Sequence, residues 1–588
     1  MISRRNFLSI ILMITIMLFM FQSTMIMRDN NQYNDNTHIT NTSLNSNDAF
    51  LSQNIQKHYV LFIGDKGCKM ENKVSQWASY AKYNYVVQEN LTTLAQVPSL
   101  IVLQSEKYAV DHIDALQNFV SKGSVIVVGN LKDTSMISDS RELQNFLGIR
   151  NIKKQKVQLK GIRLLEDLLI SDEKDYQTNK KNMQDLELQV PWYQTSAGTK
   201  SYMLGILSDK NVKNEDLPSL IWRNGYKKGS VYSVVGNYLT TNSCFGILTG
   251  MMAQANEIYA YPVINAQNLS IIGYPDFSNE NNKKLNSMYS ENISGINRDI
   301  ILPSLISLSQ KTQKKMTVFM QSQYNYQNNI SSDTKDVSFY LKQLKEQNGE
   351  AGISLDYTKI DTLKNKISQD NSFFSKGTNK YTYGTAYLKE KDLDSFFDLK
   401  NYSCIKDINT LMMDEDDNKK FIDYTKKGNC TIQRSTSNLT DYKYSNDLNM
   451  KSLESAFAYS NASINMKKVY FPKNSNDQWQ NISNKVSTNL SSYWKNYEQF
   501  DNTTLSKSDA RIRKFLNLNY SQSISKDILH LSVSKKNTYF IVRIQNKQIK
   551  SIKGATFKEI KEGVYLVHAK DKNVYIRYGS LSLPYKGE

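Results

Sequence analysis

The sequence predicts a multidomain α/β protein, and three observations carry that expectation. The chain has 588 residues, more than one hydrophobic core organises, so three or four domains are expected. Short continuous apolar runs alternate with amphipathic segments over most of its length, as in parallel sheets covered by helices. Residues 521–588 change to alternating strands separated by turn signals, which predicts a small antiparallel β domain, a sandwich.

From His58 the run HYVLFIGD reads as a buried strand and ENKVSQWASYAKY as a helix. PSLIVLQS is a second strand, VDHIDALQNFVSKG a helix closed by Gly123, and SVIVVGN a third strand. The unit continues through LPSLIWRNG and SVYSVVGNYL to a helix near FGILTGMMAQA, giving a doubly wound domain over 57–262. A second α/β run opens at LSIIGYPD. It continues as helix NRDIILPSLISLSQKT, strand KKMTVFMQS, helix KDVSFYLKQLKEQNG, strand AGISLDY, helix IDTLKNKISQ and strand YTYGTAYLK. Helix KDLDSFFDL and a strand near CTIQRSTS follow, and the succession predicts a (β/α) barrel. Residues from about Asn449 to Tyr520 read as helical and aromatic, so the barrel with its helical extension is placed at 263–520.

Arg4 and Arg5 precede an uncharged run from Phe7 to Met27, closed by Arg28 and Asp29. At 1.5 Å per residue that run spans roughly 31 Å, the thickness of a bilayer's hydrocarbon core. The flanking charges predict an uncleaved signal-anchor over 1–29: a single-pass cell-membrane protein with its body outside the cytoplasm. SRRNFLS also has the look of a twin-arginine export signal, but no A-x-A cleavage site follows FQSTMIM. Residues 30–56 are rich in Asn, Ser, Thr and Asp and read as a disordered linker.

The net charge is +18, which suits a solvated surface, lipid headgroups or an anionic polymer. The chain carries no nucleic-acid recognition motif and no basic–aromatic cluster of the kind such a module needs, so no nucleic-acid partner is expected. It also lacks a G-x-G-x-x-G fingerprint and a P-loop. Cys68, Cys244, Cys404 and Cys430 show no metal-ligand spacing. Cys404 and Cys430 are the candidate disulfide in an oxidising exterior, with four free thiols as the alternative.

The stretch NGEAGISLDYTKIDTL, residues 348–363, has the form of a strand handing over to a helix, the junction where α/β proteins place ligands and nucleophiles. It offers Glu350, Ser354, Asp356 and Asp361 but neither histidine nor cysteine.

The first α/β run resembles the class I glutamine-amidotransferase-like or flavodoxin-like fold. Cys68 follows Gly67 but lies beyond the strand end, and neither His58 nor His112 is placed to pair with it. That domain is therefore expected to be structural or ligand-binding. The full order, with an anchor, this domain, a barrel beginning NLSIIGYPDFSNENN and a β-rich tail, resembles PelA-like polysaccharide deacetylases. More closely it resembles an uncharacterised group of Gram-positive proteins found with Pel-type exopolysaccharide machinery. The resemblance implies a NodB-type barrel in which one Asp acts as base, another binds a divalent metal and an H-x-x-x-[ST]-H motif supplies two imidazoles. It also implies an exopolysaccharide chain, the membrane and polysaccharide synthase or export proteins as partners.

This sequence departs from that pattern. YPDF offers one acid, Asp276, and the positions of the histidine motif fall near Ser354 and Thr358. The five histidines are His38, His58, His112, His530 and His568, so none lies between 113 and 529. No conventional metal site is expected, and a divalent metal only with carboxylate ligands. Asp276 and Asp356 are the candidate catalytic acids, joined by Glu280 or Asp361. A loop turn at Asp276 and a helix cap at Asp356 are the alternatives. Tyr274, Tyr324, Tyr326 and Tyr383 are the candidate sugar-stacking residues, with packing as the alternative. The expected function is glycan binding by a catalytically degenerate deacetylase-like protein; the alternative is an active deacetylase, or a glycosidase with paired carboxylates.

Overall fold

In the computed structural model, which describes residues 12–17, 59–92, 94, 96–177, 186–208, 212–226, 228–327, 332–377 and 381–581, the first α/β run builds a nine-stranded sheet. Five of its strands are parallel: Asn84–Gln88, Tyr59–Ile63, Leu100–Leu103, Val125–Val128 and Ser230–Val234, in that spatial order. LIVL and VIVV are fully buried, because the strands are covered on both faces, which is why they are apolar without alternation. Strands Ser219–Gly225, Lys200–Ile206, Gly161–Leu164 and Lys174–Gln177 extend the sheet antiparallel. A separate hairpin, Ile149–Gln158 with Gln189–Thr195, accompanies it. These antiparallel strands, except Ser219–Gly225, went unread in the sequence because their turns lack an Asn-Gly or Asp-Gly signature.

The domain is joined to the next by helix on helix. Ser243–Ala255 lies against Tyr444–Phe457, and a Cβ on Gly246 would stand 2.5 Å from the Ser452 Cα. Lys174 and Tyr176 both reach the fully buried Asp447 carboxylate at 2.7 Å.

The second α/β run builds a curled nine-stranded sheet, in which seven longer parallel strands are flanked by the two-residue parallel strand Ser437–Asn438 and the antiparallel Ile422–Thr425. The seven are Ala266–Asp276, Met316–Gln321, Glu350–Ser354, Thr385–Tyr387, Thr410–Met413, Cys430–Arg434 and Tyr459–Asn465. Tyr459–Asn465 pairs with Ala266–Asp276 on the side away from Met316–Gln321. The segment after Cys430–Arg434 brings the two edges together: Ser435 N donates to Met413 O, Thr436 N to Asn461 O. The helical and aromatic reading from about Asn449 to Tyr520 is corrected at one element. YSNASIN is a strand whose Ser and Asn side chains find polar partners inside the sheet, such as Ser270 with Asn461 (2.7 Å) and Ser435 with Ser463 (2.8 Å). Polar residues at buried positions hide a strand from a hydrophobic-period reading.

Helix Leu505–Leu516 closes the amino-terminal end of this sheet and is not an appendage to it. Its first amides donate to Thr317 Oγ1 (3.0 Å) and Glu350 Oε1 (3.1 Å), both at strand starts. Leu505 packs among Ile272, Phe319, Tyr387 and Met412 in the sheet's interior.

The β sandwich is present, but it takes a strand from outside 521–588. Ile258–Val263, in the connection between the two α/β runs, pairs with Thr538–Ile544 in a sheet with Val564–Ala569 and Ala555–Lys561. The facing sheet orders Tyr520–Ser525, Ile528–Val533, Asn573–Ser580 and Lys547–Lys553.

All four cysteines are free thiols. The apolar run 7–27 lies outside the described residues except for 12–17, which are helical. Among the described residues no helix is long and apolar enough to cross a membrane. The linker 30–56 lies outside the described residues.

Candidate functional site

The carboxyl ends of the parallel strands converge on one mouth, as strand polarity requires. Asp276 ends the first strand, Asp356 follows Ser354 by two residues, and Lys389 and Lys467 each follow a strand end by two. Arg434 ends its strand and Asp414 follows another. Gly273, one turn of chain before Asp276, has φ +74°, and a Cβ there would overlap the Tyr324 hydroxyl.

Asp356 is buried, yet its two oxygens meet two ammonium groups: Lys389 Nζ at 2.6 Å and Lys467 Nζ at 2.8 Å. Burial alone would push its pKa up; the two lysines outweigh that and hold the carboxyl below the ordinary range. Lys467 Nζ also stands 4.9 Å from the centre of the Tyr324 ring. Asp276 is equally buried but has no ion pair among the described residues. Its Oδ1 accepts from the Ser278 amide (2.9 Å) and hydroxyl (2.8 Å), and burial pushes its pKa up to about 8. Asp276 thus closes a local turn and is protonated at neutral pH, while Asp356 is ionised. Glu280 takes the Asn325 amide at 2.6 Å.

Other charges around the mouth are satisfied as pairs. Lys366 and Asp370 form a buried ion pair at 2.8 Å, and the Tyr326 hydroxyl bonds to both at 2.7 Å. Arg434 meets Glu390 at 2.6 Å, and Tyr387 donates to Asp414 at 2.9 Å. Phe471 is a large apolar side chain that stays in solvent, 37% exposed, with its ring edge-on to Tyr324 at 5.5 Å.

The structure therefore brings Asp276, Asp356 and Tyr324 to one place; the Tyr324 phenol is raised by burial first and then by the charges of both acids. Tyr274 and Tyr383 are buried in the apolar core around the sheet, Tyr274 donating to Asn297 O at 2.9 Å. Tyr326 is engaged with Lys366 and Asp370, so of the four tyrosines only Tyr324 has the exposed Phe471 beside it. Asp361 is exposed and stands apart, and Asp356 caps no helix, since the next one spans Leu363–Gly377. Ser354 is fully buried with no partner for Oγ among the described residues.

Lys389, Lys467 and Phe471 escaped the sequence reading. Lys389 was legible as the residue just beyond strand Thr385–Tyr387; Lys467 and Phe471 were hidden because Tyr459–Asn465 was not recognised as a strand. In the first domain, Cys68 accepts from the Glu71 amide at 3.4 Å at the start of helix Lys69–Ala81, and His112 precedes helix Ile113–Ser121. His58 lies outside the described residues.

The donor set does not suit a divalent metal. Among the described residues no group of three His, Cys, Asp or Glu side chains converges, and both oxygens of Asp356 already face lysines.

No protein-family profile matches the chain, and no curated protein matches it in sequence. Among solved structures, "Agd3 a novel carbohydrate deacetylase" aligns over 89% of this chain and 99% of its own, with 8% identity and a TM-score of 0.48. PurLQS from Thermotoga maritima aligns over 34% of this chain and 97% of its own, with 9% identity and a TM-score of 0.24. Alpha-L-fucosidase isoenzyme 2 from Paenibacillus thiaminolyticus aligns over 34% of each chain, with 9% identity and a TM-score of 0.25.

Proposed function

We propose that the protein binds a carbohydrate chain at the mouth of the curled sheet, as a membrane-anchored, extracytoplasmic component of Pel-like exopolysaccharide synthesis or export. In this reading it has a deacetylase-like body without metal-dependent chemistry. One observation carries it: Asp356 is matched by Lys389 and Lys467 at 2.6 and 2.8 Å, where a hydrolase would present a ligand to a metal. The exposed Phe471 ring beside Tyr324 supplies an apolar face for a sugar, and the surrounding ion pairs supply donors and acceptors for its hydroxyls. The anchor follows from the run 7–27 and its flanking charges. Purified chain incubated with partly acetylated amino-sugar polymers and divalent metals is expected to bind polymer and release no acetate. Acetate release that depends on metal would overturn the reading.

A second reading is favoured by the opposite charge states of Asp276 and Asp356. One buried carboxyl pushed up to about 8 and another held low, both acting on the Tyr324 phenol, is the pattern of a general acid and its ionised partner in glycoside hydrolysis. It predicts new reducing ends without metal, abolished by Asp276→Asn. The full engagement of Asp356 by two lysines argues for binding over this hydrolysis.

A further inference from the structure

A cavity of about 690 Å3 opens at the amino-terminal end of the curled sheet, opposite the mouth. It lies between helix Val337–Glu346, the start of strand Glu350–Ser354, the loop 498–504, and helix Leu505–Leu516, with Lys558 reaching in from the sandwich. That volume is in the range of small-ligand sites. Leu341, Leu344 and the Tyr381 ring give it an apolar wall.

Its charges do not cancel. Five cationic side chains line it against three carboxylates. Arg511 and Lys558 both turn to Asp501, at 2.9 and 3.9 Å. Glu350 is consumed by the Thr317 hydroxyl (3.0 Å) and the Ser506 amide (3.1 Å), and burial pushes its pKa up. Lys315 and Lys507 have no ion pair among the described residues. Burial first, then the neighbouring Lys507 and Arg511 charges, lowers the Lys315 pKa, the response of a cation held among cations.

We propose that this cavity is a second ligand site, which takes a sugar bearing a carboxylate or phosphate group. Lys315 and Lys507 bind the anion, and the wall of Leu341, Leu344 and Tyr381 meets the ring. The pairing supplies the counter-charge the two lysines lack and uses the apolar side that inorganic ions would leave empty.

Isothermal titration of the full-length chain distinguishes the sources with trigalacturonate, glucose 6-phosphate, inorganic phosphate and uncharged maltotriose as ligands. At least one of the two sugar anions is expected to bind, more weakly at high salt, with maltotriose and inorganic phosphate both far weaker. Lys507→Gln at the exposed position and Lys315→Gln are each expected to cost about tenfold in affinity. Phe471→Ala at the mouth is expected to leave this affinity unchanged, which separates the two sites. Equal binding of maltotriose or inorganic phosphate, no binding of either sugar anion, unchanged affinity in both lysine variants, or an equal loss in Phe471→Ala would each overturn the proposal.

Discussion

The two ends of strand Glu350–Ser354 make an instructive pair. At the amino end, Glu350 is buried against a hydroxyl and a backbone amide, and its pKa rises. Just past the carboxyl end, Asp356 is buried against two ammonium groups, and its pKa falls. Burial of the same functional group gives opposite protonation behaviour because the partners differ, not the depth. The cations differ as well. Lys389, Lys467 and Arg434 at the mouth are ion-paired, whereas Lys315 and Lys507 at the other end have no ion pair among the described residues.

The largest effect is expected inside helix Leu505–Leu516, which plugs the amino-terminal end of the sheet. Arg513 and Asp509 form a buried pair at 2.8 Å, so Arg513→Met leaves a buried carboxylate with the Thr431 hydroxyl but without its cation. Urea denaturation is expected to show a loss of about 3–5 kcal/mol. At the mouth, Asp356→Ala strands two lysines, but these are 37% and 28% exposed and can turn to water. The same measurement is expected to give a smaller loss, about 2 kcal/mol; a loss equal to that of Arg513→Met would mean the mouth is as closed as the plug.

The pH dependence sharpens the contrast between the two acids. Asp276 holds its proton more tightly folded than unfolded. Its contribution is full below its ordinary value of 3.8 and is lost as pH rises through about 8. Asp356 has the opposite sign: its contribution is present above the ordinary range and is lost as pH falls. Asp276→Asn is therefore expected to remove the fall in stability that runs from about pH 4 to about pH 8, recovering on the order of 1 kcal/mol or more by pH 9. Asp356→Asn flattens the acid side. Melting curves from pH 4 to 9 check both, and an Asp276→Asn profile parallel to the parent would contradict the protonated state. The smallest stability effect is expected at Phe471→Ala, within about 0.5 kcal/mol for a surface site. Its glycan affinity falls by roughly two- to tenfold for a lost ring contact, as binding to a polysaccharide would show.

Much of the fold was legible. VLFI, LIVL and VIVV read as buried strands and the helices between them kept their apolar period, but the edge strand Asn84–Gln88 of the same parallel half, partly exposed and without a run of buried residues, did not show. The sandwich followed from its alternation. Illegible were the strands whose buried faces are polar, above all YSNASIN, and the strand Ile258–Val263, whose partner lies nearly three hundred residues further on. Of the site, Asp276 and Asp356 were readable as residues at strand ends, as was Tyr324.

What the sequence alone determined is therefore subtractive and local: strands and helices by period, and no imidazole from 113 to 529. The tertiary structure decided the rest, because charge state depends on what stands within a few ångströms. Lys389 and Lys467 lie 33 and 111 residues from Asp356 in the chain, yet hold it ionised at 2.6 and 2.8 Å. Asp276, buried and hydrogen-bonded to Ser278 with no ion pair among the described residues, keeps its proton.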